Sequence, residues 1–141
     1  MRTLLRALGA LALLLAGAPA FAQSLEAGEW QFDTTMTMAG MAKPQTSSVQ
    51  RCVRKEEAAD AERWAGRQLA NSDCRLTMKN KTATSASWTL ECPQSGMRGT
   101  GTATTGRGTM TSEQKMTGEL RGKPFELDVR TTGKRLGPCK S

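Results

Sequence analysis

Two short runs constrain this chain more than any other feature. In Cys74-Arg75-Leu76-Thr77-Met78 and in Trp88-Thr89-Leu90-Glu91-Cys92, every second residue is apolar or cysteine. Side chains of a strand alternate between two faces. Pairing the runs as an antiparallel hairpin therefore puts Cys74, Leu76, Met78, Trp88, Leu90 and Cys92 on one face and sets Cys74 opposite Cys92. The pattern predicts a half-buried hairpin stapled by a disulfide, a structural signal that carries no chemistry.

The remaining cysteines are Cys52 and Cys139. Four cysteines allow three connectivities. The hairpin favours Cys74 with Cys92, which leaves Cys52 with Cys139, a bridge that would tie the tail to an early strand and close the sheet topologically. Each bridge adds about 2–4 kcal/mol, which matters in a domain with little surface to bury. An even count of cysteines fits an oxidising compartment, and the N-terminus agrees. Arg2 and Arg6 precede an apolar run from Ala7 to Ala18, and Ala20-Phe21-Ala22 fits a small-x-small cleavage site. Residues 1–22 read as a cleaved secretory signal peptide and 23–141 as a disulfide-stabilised β domain, soluble in a periplasm or secreted. The apolar run is shorter than the about 20 residues a membrane span needs.

The mature part reads as strands divided by turns. Trp30, Phe32, Thr34, Met36 and Met38 alternate with polar residues until Gly40, Lys43 and Pro44. Gln45 to Val53 returns as a second strand, in which Val49 and Cys52 share a face only across a bulge. Lys55 to Ala65 is the one helical interval, acidic at its start, with Trp64 its expected docking residue. After the central hairpin come Met97 to Thr105, with small Gly99, Gly101 and Ala103 at alternate positions, then Thr109 to Met116, then Phe125 to Thr131, then a tail from Gly133 to Cys139. Small inward positions leave room for a neighbour's large side chain or let a bent sheet close. The expected fold is mainly β: a single antiparallel curved meander or barrel-like sheet of about seven strands, with one short helix and two disulfides.

Composition and motif spacing exclude several functions. There is no histidine, so His-based triads and HExxH zinc sites are out. No CxxC pair or GxxxxGK[ST] loop is present. The net charge is +7, and loss of Arg2 and Arg6 would leave a modest excess spread along the chain with no tyrosine for base stacking, so no nucleic-acid partner is expected. Glu91, Glu119, Glu126 and Asp128 read as solvated, which makes a hydrolase the least favoured alternative. Two binding readings remain. Met36, Met38 and Met41 are closely spaced soft donors suited to Cu(I), although Met36 and Met38 also continue the apolar face of Trp30 and Phe32. Trp30, Met78, Trp88, Met97 and Phe125 could line a cavity for a small apolar ligand.

The order of these pieces carries a resemblance. Gly28-Glu29-Trp30, Met38-Ala39-Gly40-Met41, the Cys52 segment, Cys74, Ser87-Trp88-Thr89-Leu90-Glu91-Cys92, Gly96-Met97-Arg98-Gly99-Thr100-Gly101 and the ending Arg135-Leu136-Gly137-Pro138-Cys139 resemble the bacterial exported family known as domain of unknown function 3617. The likeness covers nearly the whole mature part. It implies architecture and compartment, and brings no activity, cofactor or partner. Members often carry Gly-Met-Pro near the methionine cluster, whereas here Gly40-Met41-Ala42-Lys43-Pro44 displaces the proline and adds a cation, which weakens the copper reading. The expectation is a non-enzymatic binding or structural module with no cofactor, its partner a small apolar ligand or a protein. An exposed strand edge or apolar patch would favour the protein.

Overall fold

The computed structural model describes residues 25–60, 62 and 69–140. The leader reading at 1–22 and Trp64 lie outside them. The described elements are β1 (Gly28–Met38), β2 (Gln45–Val53), α1 (Lys55–Ala59), β3 (Arg75–Lys81), β4 (Ser85–Cys92), β5 (Met97–Gly106), β6 (Thr109–Leu120) and β7 (Lys123–Gly137). All seven strands form one antiparallel sheet in the order β2-β1-β7-β6-β5-β4-β3. Every two strands consecutive in sequence are adjacent except β2 and β3, and β7 pairs with β1. The order is therefore that of an up-and-down barrel left open at one seam, between β2 and β3, where the longest connection runs.

The expected hairpin is present in the expected register, with Leu76 opposite Leu90 and Met78 opposite Trp88. Both disulfides form, Cys74 with Cys92 and Cys52 with Cys139. The second bridge does not close the sheet. It joins β2 to Cys139, two residues beyond β7, and those two strands flank β1, so it clamps one end of a three-stranded unit.

One expectation needs correction. The tail from Gly133 is strand: β7 continues to Gly137 because β1 offers it a partner, with Phe32 opposite Gly133 and Trp30 opposite Arg135. Gly133 is a seat for aromatic rings here, since a Cβ on it would meet Phe32 and Trp30. No bulge intervenes in the nine-residue pairing of β2 with β1, so Val49 stands opposite Phe32 while Cys52 stands opposite Glu29 on the other face. The irregularity lies instead between β1 and β7, at Glu29 and Trp30. Of the helical interval expected from Lys55 to Ala65, Lys55–Ala59 and Glu62 are helical, Asp60 is at φ −137° and ψ 80°, and the rest lies outside the described residues.

A small core sits where β1, β2 and α1 meet. Trp30, Val53 and Ala58 are buried, with Leu25, Ala27, Phe32 and Met110 packed against them. Five helical residues are too few to persist alone. Ala58 anchors them in this core, and the Glu57 carboxylate accepts the Arg54 backbone N–H at 3.2 Å and pairs with Arg51 at 3.0 Å. The indole N–H of Trp30 donates to the Glu26 carbonyl at 2.8 Å, which satisfies the one polar atom of a fully buried ring.

Candidate functional site

Directly opposed residues of neighbouring strands share a face, so the registers can be read across the sheet as rows. One row on the inner face runs Met38, Leu127, Met116, Gly99, Leu90, Leu76. The next runs Met36, Val129, Gln114, Gly101, Trp88, Met78. Beside it lies a row of small and hydroxylated residues, Ser47, Thr34, Thr131, Ser112, Ala103, Ala86, in which the Thr34 and Thr131 hydroxyls are 3.0 Å apart. This polar band divides the inner face. On one side is the Trp30 core under α1. On the other is a larger apolar field holding Met36, Met38, Met78, Met97 and Met116 with Trp88 and Phe125.

The two faces differ because apolar residues alternate with polar and charged ones along the strands. The outer face of the same strands carries cross-strand charge pairs, Glu113 with Arg130 at 3.0 Å and Lys115 with Asp128 at 3.4 Å, all exposed. Side chains of the inner field are half-buried, and only Leu90 and Cys92 within it are fully enclosed.

Glycines shape the field. Trp88 stands opposite Gly101, and Phe125 stands opposite Gly118. A Cβ on Gly118 would meet Phe125 and Met97, and one on Gly101 would meet the Trp88 indole. The rings thus lie over the neighbouring backbone, covering the ladder where a side chain is missing.

Of the five residues expected to line a cavity, Met78 and Trp88 are a cross-strand pair, and Met97 and Phe125 converge over Gly118. Trp30 lies apart from them, buried in the core beyond the hydroxyl band. A surface depression of about 700 Å³ opens at the Phe125 end, bordered by Pro93, Arg98, Gly118 and Glu126. Of the three proposed copper ligands, Met36 and Met38 point to the inner face, while Met41 sits in the following turn with its backbone N–H on the Met38 carbonyl at 3.1 Å. Sequence reasoning missed the placement of Gln114 and the hydroxyl band. Both follow from strand parity once β6 is known to run from Thr109 to Leu120.

Asp73, Cys74 and Cys92 bring a carboxylate and two sulfurs within 4.8 Å of one another. They are unsuited to a metal, because both sulfurs are consumed in the disulfide and Asp73 accepts the backbone N–H groups of Gln94 and Ser95. This trio ties the β4–β5 turn to the start of β3. Among the described residues no helix is long and apolar enough to cross a membrane.

One family model matches the chain, over residues 25–139, and is described as a protein of unknown function, DUF3617. No curated protein and no solved structure matches it.

Proposed function

The chain belongs to the DUF3617 family, and from that premise we propose that it is a non-enzymatic, exported binding protein that carries a small apolar ligand on the inner face of its sheet. The observation that supports this reading is the field between β1 and β3. Its Met, Leu, Val and aromatic side chains form two adjacent rows that, buried Leu90 apart, are half-buried, while the opposite face of the same strands is charged. Methionine suits such a role because its unbranched thioether adapts to ligands of varied shape. Gln114 within the field, and the Thr34–Thr131 band at its border, supply the few polar groups that orient a ligand carrying a carbonyl or hydroxyl end.

The leader-like pattern of residues 1–22 and the paired cysteines support a periplasmic or extracellular setting for this carrier. Its test is native mass spectrometry and solvent extraction of the protein purified from its own host, followed by titration of the delipidated protein with a fluorescent fatty acid. A co-purifying hydrophobe and saturable binding, weakened when Met97 and Phe125 are both changed to serine, support the reading. An empty protein with no saturable binding overturns it.

A further inference from the structure

Among the described residues the open seam leaves two strand edges, and they are built differently. β3 has seven residues, a break in register between Met78 and Asn80, and three cations, Arg75, Lys79 and Lys81. Short length, bulges and lysines are the standard protections of an edge against pairing. β2 has none of them. It runs nine residues in unbroken register with β1, contains no proline or lysine, and shows Val49 56% exposed. Its one charge, Arg51, already pairs with Glu57 at 3.0 Å. The Cys52–Cys139 bridge and buried Val53 fix its C-terminal end, so the edge is held in strand conformation. On such an edge, every second residue turns its N–H and C=O away from the sheet.

We infer that β2 is an interaction edge and that its partner is the β2 of a second copy, paired antiparallel about a two-fold axis centred on Val49. Charge decides between the edges. Pairing β2 with itself in this register overlaps the whole strand, sets Val49 against Val49 and Ser48 against Gln50, and places Arg51 opposite Ser47, so no like charges meet. The equivalent pairing of β3, centred on Met78, sets Arg75 opposite Lys81 at both ends and must cross the register break. Joining β2 to β3 would be head-to-tail, giving a ring or an open filament rather than a two-fold pair. The β2 dimer keeps both inner faces on the same side, so the Phe32–Val49 row of one copy continues into that of the other. A single edge buries less than the about 1,200–2,000 Å² of a stable interface, so the dimer is weak and forms with rising concentration.

Sedimentation equilibrium of the native chain, taken up to about 1 mM, is the test, with hydrogen exchange of the 45–53 peptide followed over the same series. Mass rising toward the dimer together with slowed exchange in 45–53 is the expected result, and Val49→Lys, on an exposed side chain, returns the protein to monomer with unchanged melting. A monomer throughout the series overturns the inference. So does a dimer that survives Val49→Lys, or one whose new protection falls on β3 or on the inner face.

Discussion

Trp88 on β4 stands directly opposite Gly101 on β5, and its indole occupies the space a side chain at Gly101 would need. Two effects compete on Gly101→Ala. Removing a strand glycine should stabilise by roughly 0.5–1 kcal/mol through the unfolded chain. The new methyl would meet the middle of a rigid ring, and overpacking costs about 1–3 kcal/mol. The ring contact wins, so Gly101→Ala lowers stability in urea unfolding and shifts Trp88 emission to the red as the ring is lifted. Thr100→Ala, on the exposed outer face, stays within about 0.5 kcal/mol of the parent. Equal or greater stability of Gly101→Ala would show that the ring does not rest on the strand.

The two disulfides close loops of different size, 18 and 87 residues apart in sequence. If restriction of the unfolded chain dominates, removing Cys74–Cys92 costs about 3 kcal/mol and removing Cys52–Cys139 about 4.5 kcal/mol. Paired substitutions to alanine, compared by denaturant midpoint, test the order. Cys92 is buried and Cys139 exposed, so a reversed order would mean that packing around Cys92 outweighs loop entropy.

Arg121 is the one non-glycine residue at positive φ among the described residues, at 54°, followed by Gly122 at 75°. Two such residues between Leu120 and Lys123 make the tight turn joining β6 to β7, and that geometry prefers Asn-Gly. Arg121→Asn should therefore raise stability by about 0.5–1 kcal/mol without touching the inner face. Thermal unfolding reads this directly, and a drop in the midpoint would indicate that the Arg121 side chain makes a contact that matters more than its backbone.

Parity made much of this fold legible. The Cys74–Cys92 hairpin, the alternation of β1 and the small positions of β5 could be placed because each depends only on a period of two. What parity could not supply was long-range pairing. The residues from Gly133 onward read as a tail because glycine and proline punctuate them, and only the presence of β1 alongside turns Gly133 into a seat for Phe32. For the same reason parity alone groups Trp30 with Trp88 as a cavity wall, since it puts both on one face and says nothing of the three strands between them, β7, β6 and β5, or of Ala58 closing over one ring alone. The methionines were visible as a supply of thioethers. Their division between turn and inner face, with Met41 in the first and Met36 and Met38 in the second, required the register.

That division gives the carrier reading a chemical probe. Six methionines, Met36, Met38, Met78, Met97, Met110 and Met116, lie half-buried on the inner face, and Met41 is more exposed in its turn. Sulfoxidation makes a thioether polar and is reversible by methionine sulfoxide reductases. Mild peroxide treatment should oxidise Met41 first, with no effect on fatty-acid binding, because that side chain stands off the field. Further oxidation should weaken binding at least tenfold, as polar sulfoxides enter the Met38–Leu127–Met116 row, and reduction should restore it. Met41→Leu removes the first oxidation step from the mass spectrum and leaves the second, with its loss of binding, in place. If binding falls in step with Met41 oxidation, the ligand sits at the β1–β2 turn. If full oxidation of the inner methionines leaves binding intact, the ligand does not rest on that face.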